Sequence, residues 1–563
     1  VGHPALDAPP PPPANSPSSA PSVTPANQLR RLMSRRPHPR LWPLLLGLVL
    51  LTTVHPNGSI AVRAQSAAAV VSDPVRVSGP TPFAPGCEGR PQTSRVYPGS
   101  AVETNLAVDP SDPQHLVAVW QQDRFAGGAS RGLVSAFSHD GGATWTESMA
   151  PFSHCAGGNT ANGGDYERAS DPWVSIDSNG DIYESSLSTT APESPNAVTA
   201  ILVSKSTDGG ATWGAAATLI RDQEPNGFND KESITADPTA AGYVYAIWDR
   251  LFVTAQGTDT SGGDAAPASG AAGSEVAPTG VSAPIMFART TDGGATWEAA
   301  RPIYSPSGGA TGNLLVVLPT GELVDLFTRI ANGRNVSRGQ APVQEIGVIR
   351  STDRGQTWSA PVIVSSVVGG LGLSFLEDPY SGQPIRSGGI LPSIAVERQS
   401  GRLYAGWTAA AFPQSPTSDR PNGPGIAFSS SADGGQTWSA PIRVNRTPAA
   451  AGAFTPTIAV LDNGSVGVSY YDLRKNTPTQ DAILTDYWLD ICRADCTNFA
   501  NWSEAHIAGS FDLQRAAFSG GFFLGDYQGL RATGSRFLLL YGVAAQAADG
   551  NYSDVDFTSV TLP

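Results

Sequence analysis

An eight-residue stretch, SHDGGATW at positions 138–145, returns four more times, at 206–213, 290–297, 351–358 and 431–438. All five copies follow the pattern Ser/Thr-x-Asp-x-Gly-x-Thr-Trp. The Asp carboxylate can accept hydrogen bonds from the backbone of its own turn, and the Gly supplies a positive φ angle. The Trp buries a large apolar face. Strand-like sequence flanks the copies, so the pattern predicts a hairpin turn fixed by its own side chains.

These turns are predicted to be structural rather than catalytic. Each contributes one aspartate and one tryptophan to the hairpin. The residues concerned are Asp140, Trp145, Asp208, Trp213, Asp292, Trp297, Asp353, Trp358, Asp433 and Trp438.

The segments between the turns predict an all-β fold. Two apolar strands precede each turn region, a third runs into the turn and a fourth follows it, with almost no helical periodicity. Four antiparallel strands repeated along a chain are typical of a β-propeller. Counting first strands favours seven blades, with six as the alternative. The last blade is one strand short, and residues 74–78 resemble a fourth strand, so we expect an N-terminal strand to close the ring.

The N-terminal residues predict export. Residues 1–32 are rich in Pro, Ala and Ser and are predicted to be disordered, or to be an extension assigned upstream of the true start at Met33. A basic segment and the apolar run 41–54 then have the length of a signal peptide, placed at 33–64. The propeller is assigned to residues 73–563, with a flexible insertion at 254–283 that is rich in Gly, Ala, Ser and Thr.

The charge and the cysteines narrow the class of protein. The formal charge of −14 argues against nucleic acid as a partner, and no membrane association is expected once the signal is cleaved. Four cysteines in an exported chain suggest two disulfides, with Cys492 and Cys496 forming a local bridge and Cys87 and Cys155 the other. No Cys/His cluster has metal-ligand spacing, so no cofactor is expected. A structural calcium ion is left open, and a monomer is expected.

The repeated motifs resemble the Asp-boxes, or BNR repeats, of the sialidase superfamily. The resemblance covers roughly residues 74–563 and is strongest to secreted bacterial exo-α-sialidase-like proteins. It implies a propeller with peripheral Asp-boxes. It also implies an active centre with three arginines for the substrate carboxylate, a Tyr–Glu nucleophile pair and an aspartate acid/base. The Phe/Tyr-Arg-Ile-Pro signature of the family is not found; the nearest string is SRVYP at 94–98.

Candidate site residues follow from propeller geometry, because first strands begin and second strands end at the same face. Four second strands end in arginine, and paired N–H groups suit a carboxylate. We expect substrate binding by Arg124, Arg250, Arg329, Arg474 and Asp526. The catalytic candidates are Asp171 or Asp230 as acid/base and Tyr527 assisted by Glu232.

Two alternatives remain open from these residues. Single arginines next to aspartates, as in Asp249–Arg250 and Asp472–Arg474, could instead be ion pairs that hold blades together. The chain as a whole is predicted to be a secreted glycoside hydrolase acting on terminal acidic sugars of the sialoside type. The alternative is a non-catalytic secreted propeller that binds glycan or protein.

Overall fold

The computed structural model describes residues 68–190, 197–223, 227–253, 281–306, 308–331, 343–367, 375–389, 391–409, 423–448, 451–479, 481–546 and 550–563. The chain divides into two compact units, Val1–Gln65 and Ser66–Pro563. The first unit lies outside the described residues, and so do the predicted extension, the predicted signal peptide and most of the predicted insertion. The second unit contains every element reported below.

Strands make up nearly all of the regular structure in the described ranges. The helices found there are three short 3₁₀ turns, at His154–Ala156, Phe499–Asn501 and Leu513–Arg515. No helix among the described residues is long and apolar enough to cross a membrane. The predicted all-β class is confirmed.

Most strands form meanders, meaning runs of consecutive antiparallel strands. The first two meanders are β3 (Val96–Val108), β4 (Leu116–Phe125), β5 (Ser130–Ser138) and β6 (Thr146–Ser148), and then β7 (Arg168–Ile176), β8 (Ile182–Thr189), β9 (Val198–Ser206) and β10 (Ala217–Gln223). The third comprises β11 (Phe228–Ala236), β12 (Val244–Val253), β14 (Ile285–Thr290) and β15 (Arg301–Tyr304), with the short strand β13 (Val281–Ser282) paired to β12.

Three further meanders follow along the chain. The fourth is β16 (Ala310–Val317), β17 (Leu323–Ala331), β18 (Val343–Ser351) and β19 (Val362–Val367). The fifth is β22 (Ser393–Val396), β23 (Leu403–Ala409), β24 (Gly425–Ser431) and β25 (Ile442–Arg443). The sixth is β26 (Ala453–Val460), β27 (Val466–Asp472), β28 (Leu484–Cys492) and β29 (Trp502–Asp512).

The remaining strands form two further groups. Three C-terminal strands are antiparallel, and the last of them pairs with two short N-terminal strands. These are β32 (Gly529–Thr533), β33 (Arg536–Ala544), β34 (Ser553–Thr561), β1 (Val70–Val71) and β2 (Val75–Arg76). A separate sheet joins β20 (Phe375–Glu377) and β21 (Pro384–Arg386) to β30 (Ala517–Phe518) and β31 (Phe522–Phe523), with β21 and β31 parallel.

The hydrogen-bonded sheets number six among the described residues, which differs from the seven separate blades predicted. One sheet has thirteen strands, one has five and four have four. Single backbone pairs merge neighbouring meanders into the largest sheet: Ser130 with Ala169, and Ser100 with Ser553. The predicted architecture, a propeller built of four-stranded antiparallel units, is therefore confirmed, whereas the predicted number of blades is not.

Each repeated turn is fixed by its own side chains. In the first copy, Thr144 donates its backbone N–H and its hydroxyl to the Asp140 carboxylate, at 2.9 and 2.6 Å. The Ser138 hydroxyl donates to Asp140 at 2.8 Å and accepts the Gly142 N–H at 2.9 Å. The other four copies, centred on Asp208, Asp292, Asp353 and Asp433, make the same bonds.

The turns also pack against the neighbouring meander. Trp145 meets Phe557 of β34 with ring centroids 5.5 Å apart, and Trp358 meets Phe287 of β14 at the same distance. Gly142 has a φ of +95°, and a Cβ there would lie 2.2 Å from the Phe557 ring. Glycine is therefore required in this turn for two reasons: the backbone is left-handed, and the neighbouring ring leaves no room for a Cβ atom.

Candidate functional site

Three first strands each contain a residue in the left-handed region. Glu103, Asp171 and Lys231 have φ angles of 55°, 51° and 53°. At each, the register with the second strand shifts, which is the mark of a β-bulge. Each bulge residue stands six positions before the aspartate that follows the strand, namely Asp109, Asp177 and Asp237. Equivalent β-bulges therefore bring the carboxyl groups of Glu103 and Asp171 and the ammonium group of Lys231 close together from three different meanders.

The ammonium of Lys231 lies at the centre of this place. Its Nζ is 3.0 Å from Asp526 Oδ2, 3.5 Å from Asp171 Oδ1 and 3.8 Å from Asp230 Oδ1. The Lys231 side chain is 15% exposed, and those of Asp171 and Asp526 are 3% and 2% exposed. Asp230 is the most open carboxyl of the group, at 27%. A ligand could therefore reach this group at Asp230.

Arg386 holds Asp526 from the other side. Its Nε and Nη2 donate to the two carboxylate oxygens at 3.1 and 2.6 Å, a bidentate geometry. The guanidinium of Arg386 stacks over Phe523 at 4.5 Å, and that of Arg124 lies over the same ring at 5.0 Å. Phe523 lies in β31 and Arg386 in β21, so the separate sheet that contains these two strands contributes both side chains to the group.

Arg124 is buried and only partly satisfied. Its Nη1 donates to Gln121 Oε1 at 2.6 Å, and Gln121 donates in turn to the Ser170 hydroxyl. The Nε of Arg124 has no hydrogen-bond partner among the described residues. A buried N–H group without a partner is costly, so this atom is available to a ligand.

We refer to the assembled residues as the central cluster. Its members interact electrostatically with one another. They are Glu103, Arg124, Asp171, Asp230, Lys231, Glu232, Arg386, Asp526 and Tyr527.

Two cluster carboxyls are held ionised. Burial opposes the charge of Asp526, but the charges and hydrogen bonds of Arg386 and Lys231 lower its pKa far below its ordinary value. Burial likewise opposes the charge of Asp171, and Lys231 and hydrogen bonds from Glu103 and Asp230 lower its pKa. Lys231 stays protonated, because its acidic neighbours outweigh burial and raise its pKa.

Other cluster groups are held neutral. Burial raises the pKa of Glu103 and of Glu232 well above the ordinary glutamate value. The pKa of Asp230 is raised to about 6 by burial and by the neighbouring Asp171. The central cluster therefore combines ionised and protonated carboxyls, the arrangement that separates an acid from a base.

Tyr527 lies beside these carboxyls but is not deprotonated by them. Burial raises its pKa well above the ordinary tyrosine value, and the neighbouring carboxylates add to the shift. Its hydroxyl donates to the Pro172 carbonyl at 3.3 Å, and its ring packs on Trp173 at a centroid distance of 5.2 Å. In this state the phenol is a hydrogen-bond donor.

The structure brings together Asp171, Asp230, Glu232, Tyr527, Asp526 and Arg124 from the sequence-derived candidates. It does not bring Arg250, Arg329 or Arg474 into the central cluster. Arg250 binds Asp222 of the preceding meander at 2.5 and 2.6 Å, Arg329 binds Glu345, and Arg474 binds Asp472 and Glu504. Each of these guanidinium groups is already neutralised by an acid. The sequence alternative named the Asp472–Arg474 pair, but Arg250 pairs with Asp222 and not with Asp249. Of the pairs just given, only Arg250–Asp222 joins two meanders.

Sequence reasoning missed Glu103 and Arg386. Glu103 could have been found, because the spacing of six to Asp109 repeats the spacing of Asp171 and Lys231 to their aspartates. Arg386 lies between two meanders and reaches the cluster through the parallel pairing of β21 with β31. No repeat or motif in the sequence marks that pairing.

Beneath the central cluster runs an axial channel of about 360 Å³. First strands of several meanders line it, and Asp526 and Tyr527 lie where it meets the cluster. Its other lining residues include Asn105, Ser175, Ser233 and Arg531.

Comparisons with solved structures find other proteins of low sequence identity. A Dyadobacter fermentans protein of unknown function aligns over 88% of this chain and 99% of its own, with TM-score 0.44 and 13% identity. A Fusarium graminearum α-L-arabinofuranosidase aligns over 87% and 98%, with TM-score 0.40 and 13% identity. A Hadza microbial sialidase aligns over 79% and 76%, with TM-score 0.39 and 15% identity. No family model and no curated protein sequence matches the chain.

Proposed function

We propose that the chain is a glycoside hydrolase whose active site is the central cluster. The observation that carries the proposal is the split between neighbouring carboxyls around Lys231. Asp230, the most exposed of them, keeps a proton up to a pH of about 6, whereas Asp171 and Asp526 remain charged. Hydrolysis of a glycosidic bond needs both a protonated and an ionised carboxyl beside the sugar.

Each group has a role under this proposal. Asp230 donates its proton to the glycosidic oxygen, the bond from that oxygen to the anomeric carbon breaks, and the departing sugar leaves as an alcohol. Water then adds to the anomeric carbon and gives its proton to the Asp230 carboxylate, which restores the acid. Burial, and then the charge of Asp171 and its hydrogen bond, raise the pKa of Asp230. The ionised Asp171 and Asp526 stabilise the positive charge that develops on the sugar ring. The role of Tyr527 and Glu232 as a nucleophile pair stays a prediction, and the raised pKa of the phenol weighs against it.

Neutral sugars are one candidate class of substrate, and sialosides or other acidic sugars are the second. The unpaired Nε of the buried Arg124 favours it, because a sugar carboxylate could accept that N–H. The excess of carboxyls over cations in the cluster favours a neutral sugar instead. The fold does not distinguish these two classes of substrate, so activity must be measured on both.

A panel of fluorogenic glycosides tests the proposal. Sialosides, uronides and arabinofuranosides are incubated with the full chain and with Asp230→Asn between pH 4 and 8. We expect hydrolysis of one class, a rate that declines above a pH of about 6, and loss of about 10²-fold or more in Asp230→Asn. Asp181→Asn, whose carboxyl pairs with Lys205 far along the sheet from the cluster, is the matched control and should keep the wild-type rate.

Two results would count against hydrolysis. No turnover of any class, with binding retained on a glycan array, would leave the non-catalytic propeller as the function. Equal rates for the wild type and Asp230→Asn would remove Asp230 from the chemistry. Selective turnover of sialosides, with KM raised by Arg124→Lys, would instead assign the acidic-sugar class.

We also infer that the N-terminal strand closes the last blade and that the five Asp-box turns lie at the periphery of the propeller. The antiparallel pairing of β2 with β34 supports closure of the last blade by the N-terminal strand. The two disulfides, Cys87–Cys155 and Cys492–Cys496, support an oxidising, extracytoplasmic location.

A further inference from the structure

The axial channel contains an arginine without a carboxylate partner. Arg531 lines the channel, and its Nη1 and Nη2 donate to the Leu530 carbonyl at 3.0 Å and to Asn105 Oδ1 at 3.2 Å. No carboxylate among the described residues forms an ion pair with it. Burial, without an opposing acidic neighbour, lowers the pKa of Arg531 to about 10. Arg531 is partly buried, and a guanidinium that is largely removed from water normally has an anion beside it.

An N–H group of Asn105, beside Arg531, also has no partner in the described part of the chain. Asn105 also lines the channel and is 1% exposed. Its Oδ1 accepts from Arg531 and from the Val174 N–H, at 3.4 Å for the latter. Its Nδ2 has no partner among the described residues. The amide therefore offers N–H hydrogens that protein atoms do not use, at a site where leaving them unused is costly.

The rest of the channel lining is compatible with an anion. Asp526 is the one carboxylate among the described lining residues, and it is already neutralised by Arg386 and Lys231. Ser175 and Ser393 line the channel and accept backbone N–H groups at 2.9 and 3.1 Å, so their hydroxyl hydrogens can be donated elsewhere. The channel thus has several hydrogen-bond donors and an uncompensated positive charge.

We propose that the axial channel binds a small monovalent anion, a halide or a short carboxylate, between Arg531 and Asn105. The anion supplies the missing counter-charge of Arg531 and accepts the unused N–H of Asn105. Because residues of several meanders line the channel, an anion on the axis stabilises the ring as a whole. This site is separate from the proposed hydrolysis at the central cluster and does not depend on it.

Chloride-35 NMR tests the site with chloride itself as the probe. The full chain should broaden the chloride resonance, and Arg531→Gln should lose most of that broadening. Arg398→Gln is the matched control, since Arg398 lines the same channel but is exposed; it should broaden chloride like the wild type. Acetate that narrows the line by competition would extend the ligand class to short carboxylates, and acetate without effect would restrict it to halides.

Asn105→Asp keeps the test decisive if Arg531→Gln does not fold. The new carboxylate is nearly isosteric and gives Arg531 an internal counter-charge. We expect this variant to be folded, to lose chloride broadening, and to show a thermal unfolding midpoint that no longer rises with chloride as that of the wild type does. Equal broadening by the wild type, Arg531→Gln and Asn105→Asp, or none by the wild type, would overturn the proposal.

Discussion

Lys231 is the residue through which the charges of the central cluster are balanced. Its ammonium contacts carboxyls from two other parts of the chain, Asp171 and Asp526, and its own neighbour Asp230. Lys231 thus keeps Asp171 ionised and, together with Arg386, keeps Asp526 ionised. The pKa of Asp230 stays raised because burial and Asp171 outweigh the effect of Lys231. Removing Lys231 would leave buried negative charges facing one another.

We predict that Lys231→Met lowers the free energy of unfolding by about 3–5 kcal/mol at pH 7, the typical cost of breaking a buried ion pair. Denaturant unfolding measures this. Lys205→Met is the control, because Lys205 pairs with Asp181 at the surface and should lose less than about 1 kcal/mol.

The pH dependence of that difference has a defined sign. Lys231 lowers the folded-state pKa of Asp171 and of Asp526, so its contribution is fully present above the ordinary carboxyl range. The difference between the wild type and Lys231→Met should shrink as the pH falls below about 4. A difference that grows on acidification would show that Lys231 does not act through these carboxylates.

At this scale the sequence predicted six of the nine residues of the central cluster. Asp171, Asp230 and Asp526 were recognisable because each stands at the mouth of a first strand. Arg250 was mistaken for a candidate because a strand-terminal arginine looks the same whether its partner is a ligand or Asp222 of the preceding meander. Only long-range packing distinguishes the two.

The repeated turn is the element that links one meander to the next. Its internal hydrogen bonds are local, and the hydrogen bonds from Thr144 lower the pKa of Asp140 to about 2. Its contacts with the preceding meander are made by the tryptophan and by the second glycine. The sequence predicted the local part, since the pattern names the donors and acceptors, but the partner Phe557 lies more than four hundred residues away.

We predict that Gly142→Ala destabilises the protein more than Gly86→Ala does. Both glycines have positive φ angles, +95° and +80°, but a Cβ at Gly142 would overlap the Phe557 ring whereas nothing lies within 4 Å at Gly86. Gly86→Ala should cost about 1–2 kcal/mol from backbone strain alone. Gly142→Ala should cost about 1–3 kcal/mol more from overpacking.

Thermal and denaturant unfolding of both variants give the comparison. Gly355→Ala repeats the test at a second turn, where a Cβ would lie 2.4 Å from Phe287. Equal losses for Gly86→Ala and Gly142→Ala would mean that the turn does not press on its neighbour as described.

At the scale of the whole molecule, the two ends of the described chain meet in one sheet. Val77 donates its N–H to Val555 at 2.9 Å, Ser78 Oγ accepts from the same residue, and Arg76 pairs with Asp554 and Asp556. The strand count from sequence predicted a partner for the last strands, because they ran out one strand short. The merging of neighbouring meanders through single backbone pairs was not predictable, since any residue can make such a pair.

Removal of residues 68–78 should expose the edge of β34 and the apolar surface that Val77 covers. We expect a lower thermal midpoint and self-association by size-exclusion chromatography, because an unpaired edge strand recruits another chain. Burial of Val77 alone contributes about 1.5–3 kcal/mol. Removal of residues 68–71 is the comparison: it takes away only the two-residue pairing of β1 with β34, where Val70 is 67% exposed, and should change less. A monomer of unchanged stability after the longer deletion would show that this strand does not close the ring.

The protonation state of Asp230 tests the account most directly. Carboxyl carbon-13 NMR of labelled protein follows each aspartate with pH, and Asp230→Asn assigns the resonance. We predict a titration near pH 6, because burial and Asp171 raise the pKa of Asp230 to that value. A midpoint at or below about 4, the ordinary aspartate value, would mean that Asp230, the most exposed carboxyl of the central cluster, has no proton to donate at a pH of about 6, and would contradict the proposed hydrolysis.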